Sequence, residues 1–138
     1  MKAIPYISFN GNCEEAVNFY QSILGGTASF MRYKDMPPGE GMNPDEKSLE
    51  KIMHASIAFD DENFLYFSDA WDEYPVSIGN NNTVHLVLKS EQEVYDFVDK
   101  LSESGEVTMP ADKTFWGSVY GSVVDKFGVC LGLEYEIK

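Results

Sequence analysis

The sequence predicts an α+β fold made of two βαβββ modules in one chain. Three observations predict it. A strand-like run, a helix-start signal, an apolar helical stripe and a glycine stop occur in that order twice. Corresponding residues keep one spacing: Asn12 and Ser90, Glu15 and Glu93, Phe19 and Phe97, and Ile23 and Leu101 are each 78 residues apart. Each helix is then followed by three runs of strand type. Repetition of a whole βα unit at a fixed offset marks an internal duplication.

The elements follow in order. IPYISF, from Ile4 to Phe9, reads as a strand ended by the turn residues Asn10 and Gly11. Asn12, with Glu15 three residues later, predicts a capping box. Ala16, Val17, Phe19, Tyr20, Ile23 and Leu24 form the apolar stripe of the helix, and Gly25-Gly26 stops it. Strands are expected at Thr27–Tyr33, Lys51–Phe59 and Asn63–Asp69. The segment from Lys34 to Glu50 is too rich in Pro, Gly and charge for a core; it reads as a long loop, a lid or partner contact or else a plain surface excursion. A linker over 71–81 separates modules of about 1–70 and 82–138, within a single domain spanning 1–138.

In the second module, TVHLVL (Thr83 to Leu88) is a strand, and Ser90 with Glu93 forms a second capping box. Val94, Phe97, Val98 and Leu101 make the stripe, and Gly105 ends it. A short strand at Glu106–Met109 and longer ones at Ser118–Val124 and Val129–Ile137 complete the module. Asp125 to Gly128 (DKFG) reads as the tight corner of the last hairpin.

Composition bounds the function. The chain has 138 residues, nine Phe, eight Tyr and two Trp, enough apolar content for one packed domain. The formal net charge of −13 argues against nucleic acid and anionic membrane surfaces, which need clustered Lys and Arg. Cys13 and Cys130 fit neither a disulfide framework nor a zinc-ligand spacing. Cys13, just inside a helix start, is placed where a thiolate would be favoured. With no basic-then-apolar leader and no apolar run of membrane length, the protein is expected in a reducing cytoplasm.

FNGNCEEAVNFYQSILGG near the start, KIMHA in the middle and FWGSVYGSVVDKFGV near the end, set on paired βαβββ modules, resemble the vicinal oxygen chelate superfamily, and within it the PhnB-like branch of glyoxalase/bleomycin-resistance proteins. The resemblance covers nearly the whole chain. It implies that each module's four strands form part of a cupped mixed sheet with helices on the outer face, and that the protein is a homodimer. Enzymes of the superfamily hold one divalent metal with His or Gln, Glu, His and Glu from the first and last strands of each module.

Strand alternation decides which side chains face the cup. Ile7 and Phe9 suit the helix side, leaving Tyr6 and Ser8 inward, so a strong ligand is missing from the first strand. In the second module His85 points inward with Thr83 and Val87. FLYFSD offers Asp69 where the superfamily places a Glu. In the last strand the metal-binding Glu falls at about Gly132, which has no donor; Glu134 is one pleat further on, roughly 6–7 Å away. A metal, if any, falls to His85, Asp69 and Glu134, with His54 as an added donor, and Zn, Ni or Mn would suit such ligands. His54 and His85 also have plain structural readings as hydrogen-bonding residues of a half-buried sheet, and His85 equally suits a general base.

Trp116 and Tyr120, four residues apart, share a face of a regular strand and make an aromatic wall; core packing and a dimer seam are the alternatives. The expected function is binding of a small molecule, with no cofactor and without the standard metal site, through Tyr6, Ser8, His54, Asp69, His85, Trp116 and Tyr120. The alternative is a divalent-metal-dependent isomerase, lyase or dioxygenase acting on a small oxygenated substrate. Whether any reaction is catalysed stays open. The chain lacks a strand–glycine loop–helix unit suited to a methyl donor, which argues against the ubiquinone-pathway methyltransferase label attached to this branch.

Overall fold

A computed structural model describes residues 1–37 and 46–138. The expected loop at 34–50 therefore falls partly outside the described residues; its described flanks are two short 3-10 turns, Tyr33–Asp35 and Glu46–Ser48. The chain divides into two compact units, Met1–Ser77 and Ile78–Lys138. Among the described residues no helix is long and apolar enough to cross a membrane.

The first unit contains β1 (Tyr6–Phe9), α1 (Cys13–Leu24), β2 (Thr27–Arg32), β3 (Ile52–Ala58) and β4 (Phe64–Asp69). Its sheet runs β1-β4-β3-β2, with β1 parallel to β4 and the other pairs antiparallel. The second unit repeats the plan with β5 (Val84–Val87), α2 (Glu91–Leu101), β6 (Glu106–Lys113), β7 (Ser118–Val124) and β8 (Cys130–Glu136). Its order is β5-β8-β7-β6, with β5 parallel to β8. Each unit is thus a four-stranded mixed sheet with one helix, as the duplicated pattern predicts.

Each helix buries its apolar stripe on one face of its own sheet. Ala16, Val17 and Tyr20 of α1 are buried with Phe9, Ile57, Leu65 and Phe67, and the Tyr20 and Phe67 rings stack with centroids 5.9 Å apart. In the second unit Val94, Val98 and Leu101 of α2 are buried with Val119, Val123, Leu131 and Leu133. Gly121 of β7 admits this close approach: a Cβ there would lie 2.8 Å from Val98 Cγ2 and 3.0 Å from Ala111 Cα.

The helix starts differ. Ser90 caps α2 as expected, its hydroxyl accepting from the Glu93 N–H at 3.2 Å, although the Glu93 carboxylate returns to the N–H of Lys89. The predicted box at Asn12 and Glu15 does not form: Asn12 makes no side-chain cap bond. Asp69, at the end of β4, takes that role from a distant part of the sequence.

Two loop regions differ from expectation. β6 runs on to Lys113 through Pro110, where the reading from sequence ended it at Met109. It is an edge strand with register breaks between Val107 and Met109 and between Met109 and Asp112, where a residue lacking an N–H is tolerated. Trp116 belongs to the β6–β7 turn instead of the strand; Gly117 there has φ +89°, and Thr114 closes the turn with its N–H to the Ser118 carbonyl at 2.8 Å. The DKFG corner is built by Asp125, whose Oδ1 accepts from the N–H groups of Phe127 and Val129.

Candidate functional site

Strand alternation gives each sheet one face under its helix and one open face. In the second unit the open face carries His85 and Val87 of β5, Gly132 and Glu134 of β8, and Tyr120 and Ser122 of β7. Register aligns His85 with Gly132, Val87 with Glu134, and Tyr120 also with Glu134. His85 Nε2 lies 2.9 Å from Glu134 Oε1, and the Trp116 indole N–H donates to Glu134 Oε2 at 3.4 Å. The His85 and Tyr120 rings stack with centroids 6.0 Å apart, and the Trp116 ring stands 6.4 Å from that of Tyr120. Four side chains from two strands, a third strand and a turn therefore form one group.

Charge in this group is settled by donors. The hydrogen bond from His85 holds the Glu134 carboxyl below its ordinary value of 4.5, with help from the Ser118 hydroxyl and the Trp116 N–H. Glu134 is thus an ionised acceptor, and in the neutral ring its bond to Nε2 leaves Nδ1 of His85 as the free lone pair.

Gly132 makes this packing possible. A Cβ there would lie 3.0 Å from His85 Nδ1, 3.3 Å from the Tyr120 hydroxyl and 3.5 Å from Thr83 Cγ2. The space that any larger side chain would take on the open face is occupied by the imidazole and the phenol.

Trp116 is 55% exposed and Phe115, edge-on to it at 5.1 Å, is 97% exposed. Trp116 is therefore no core residue, and its place beside Tyr120 comes from the turn, not from shared strand parity.

The first unit's open face presents Tyr6 and Ser8 of β1, Tyr66 and Ser68 of β4, and His54 and Ser56 of β3. Tyr6 pairs with Tyr66 and Ser8 with Ser68. The Tyr6 hydroxyl lies 3.3 Å from His54 Nδ1, and the Tyr66 ring meets His54 edge-on at 4.8 Å. Tyr66 is a member of this cluster that the sequence reading left out. The alternation in FLYFSD was the available signal, since it sets Phe64, Tyr66 and Ser68 opposite the buried Leu65 and Phe67.

Asp69 lies elsewhere. It is 2% exposed and on the helix side of β4, together with Leu65 and Phe67. Its Oδ1 accepts from the N–H groups of Gly11 at 2.9 Å and Cys13 at 3.0 Å, and Oδ2 from that of Ile52 at 2.9 Å. Its carbonyl accepts from the buried Tyr33 hydroxyl. The expected open-face carboxylate is thus a helix cap joining β4, α1 and β3, and Ser68 holds the open-face position. Cys13 is corrected in the same way: burial first, then the neighbouring Asp69 and Glu14 charges, push its thiol well above the ordinary range.

The residues present can be tested against the metal centre that the resemblance implies. Among the described residues no group of three or more His, Cys, Asp or Glu side chains is placed to hold a metal ion. His85 and Glu134 are together, but Gly132 supplies no donor, Tyr6, Ser8 and Ser68 supply only hydroxyls, and both Asp69 oxygens are engaged with backbone N–H groups. These residues do not make up the four-ligand set.

Comparison with known proteins agrees with the fold. The model of the glyoxalase/bleomycin resistance protein/dioxygenase superfamily matches residues 4–133. Protein YjdN of Escherichia coli (strain K12) is 32% identical, over 94% of this chain and 91% of that protein. The crystal structure of protein PA1353 from Pseudomonas aeruginosa superposes with a TM-score of 0.87 at 32% identity, covering 100% of this chain and 99% of the other. A PhnB protein from Bacillus cereus shares the fold at 22% identity, with a TM-score of 0.73 over 98% of this chain and 99% of that one.

Proposed function

The chain belongs to the glyoxalase/bleomycin resistance protein/dioxygenase superfamily, and from that premise we propose that it binds a small molecule on its open sheet faces without the superfamily's standard metal centre. One observation carries the reading. At Gly132, where the resemblance puts a metal-binding carboxylate, the space is taken by His85 Nδ1 and the Tyr120 hydroxyl. The half-exposed Trp116 beside them supplies an aromatic wall, and the Tyr6–His54–Tyr66 cluster a second polar and aromatic surface. The same reading sets the protein in a reducing cytoplasm, in keeping with its two free thiols, and as a homodimer.

A divalent-metal enzyme is the second reading, favoured by the pairing of His85 with Glu134 as two adjacent donors. It needs further ligands, and among the described residues the open face that carries the pair adds only the Tyr120 and Ser122 hydroxyls beside it.

A thermal-shift screen of small molecules tests the first reading, run in parallel on the wild type and Trp116→Ala. Trp116 is exposed, so the variant keeps its melting temperature within a few degrees while losing the stabilisation by any hit. Hits that stabilise both proteins equally would remove Trp116 from the site.

A further inference from the structure

We propose that Asn10 is a modification site: with Gly11 it forms a self-deamidating pair that the fold holds shut, and its conversion permanently loosens the stretch around Val76. The inference is independent of the ligand-binding reading above.

Asn10 is the only asparagine in the chain followed by glycine, and no aspartate is followed by one. A glycine in second place leaves its amide nitrogen unhindered by a Cβ, which is what attack on the preceding side-chain amide requires. The fold needs both residues. Gly11 has φ +102°, a conformation that L side chains rarely adopt. Asn10 is exposed, yet its side-chain N–H donates to the Val76 carbonyl at 3.0 Å and its oxygen accepts from the Val76 N–H at 2.9 Å. That two-way pairing calls for a donor and an acceptor on one short side chain, which an amide provides.

Both reacting groups are thereby engaged. The Gly11 N–H, the nucleophile once deprotonated, donates to Asp69 Oδ1 at 2.9 Å, and the Asn10 amide that would leave is tied to Val76. Water reaches the pair, so hydrogen bonding and not burial restrains the reaction. When local opening frees the pair, the Gly11 nitrogen loses its proton and bonds to Asn10 Cγ. The Cγ–NH2 bond breaks, and ammonia leaves with that proton. Water then opens the succinimide ring at either carbonyl, giving aspartate or isoaspartate; no oxidant or further reactant is needed.

The step prevents its own reversal. Aspartate has no N–H for the Val76 carbonyl and sets a carboxylate oxygen against it. Isoaspartate also lengthens the main chain before the Gly11 N–H that Asp69 holds. Trp71 and Asp72 keep their contacts with Tyr33 and Lys51, while Tyr74, 79% exposed, and Val76 lose the anchor beyond them.

The full chain is incubated at mildly alkaline pH, native and in urea, and deamidation is located by peptide mass spectrometry with isoaspartate detection. In urea it is expected to concentrate at Asn10. In the native protein the Asn10 rate is expected to be slower by about tenfold or more, because the two Val76 bonds must open first. Asp69→Asn, if folded, is expected to move the native rate toward the rate in urea. Asn10→Asp is expected to speed hydrogen exchange at the Val76 N–H by about tenfold and to leave the Cys13 N–H protected. Equal rates with and without urea, or a urea rate no higher at Asn10 than at Asn80 to Asn82, would overturn the proposal. So would a folded Asp69→Asn with an unchanged rate, or unchanged Val76 exchange in Asn10→Asp. Should Asp69→Asn not fold, the urea comparison and Asn10→Asp decide the matter.

Discussion

Glu134 stands one pleat beyond Gly132 on β8 and reaches back to His85, the residue in register with Gly132, at 2.9 Å. A glycine and a displaced carboxylate thus belong to one arrangement: the glycine admits the imidazole, and the carboxylate fixes its orientation. The pair makes a polar, aromatic-walled surface from positions where the resemblance expects a metal ligand.

The pair predicts how Glu134 titrates. Its folded-state pKa lies below the ordinary 4.5, chiefly because of the His85 hydrogen bond. The unfolded chain therefore binds the proton more readily, so the stability that Glu134 contributes is full above 4.5 and is lost as pH falls through the folded value. Carboxylate NMR titration of the wild type is expected to give a midpoint below 4.5, moving upward in His85→Ala. An unchanged midpoint in the variant would break the link between the two residues.

Asp69 predicts a stability effect without a binding effect. Asp69→Ala strands three N–H groups, two of them at buried Cys13 and Ile52, at a cost of about 3 kcal/mol or more by chemical denaturation. Binding to the second unit's open face is expected to persist in the folded fraction. A full loss of binding in protein that remains folded would return Asp69 to the site.

Gly132→Ala separates space from backbone freedom. The methyl would arrive 3.0 Å from His85 Nδ1, closer than carbon and nitrogen normally pack, so the imidazole has to shift by a few tenths of an ångström. Overpacking of this kind costs about 1–3 kcal/mol. The expected outcome is a folded protein of lower melting temperature, a displaced His85 imidazole signal and weaker ligand binding. Unaltered His85 signals would show that the glycine is not what seats the ring.

Much of the fold was legible because local signals and the repeat agreed. The apolar stripes of α1 and α2, the Ser90 cap and the strands at Ser118–Val124 and Val129–Ile137 were read from nearby residues, and the structure places strands at 118–124 and 130–136. The cap of α1 was not legible, since its acceptor is 56 residues away from Cys13, across three strands of chain. β6 was cut short because Pro110 reads locally as a break, while its tolerance depends on lying at a sheet edge. For the site, alternation is enough to put His85, Tyr6 and Ser8 on the open faces, and in FLYFSD the same alternation puts Tyr66 and Ser68 there and Asp69 on the helix side. The His85–Glu134 contact depends on the side chain reaching across one pleat, which no spacing rule reveals.

The central claim is that this surface binds its ligand without a metal centre, and metal titration tests it most directly. Chelator-treated, tag-free protein is titrated with Ni, Zn and Mn by calorimetry, alongside His85→Ala and Glu134→Gln. The account predicts no tight one-to-one binding of any of the three metals. Tight, stoichiometric binding that disappears in both variants would contradict it and make His85 and Glu134 working metal ligands.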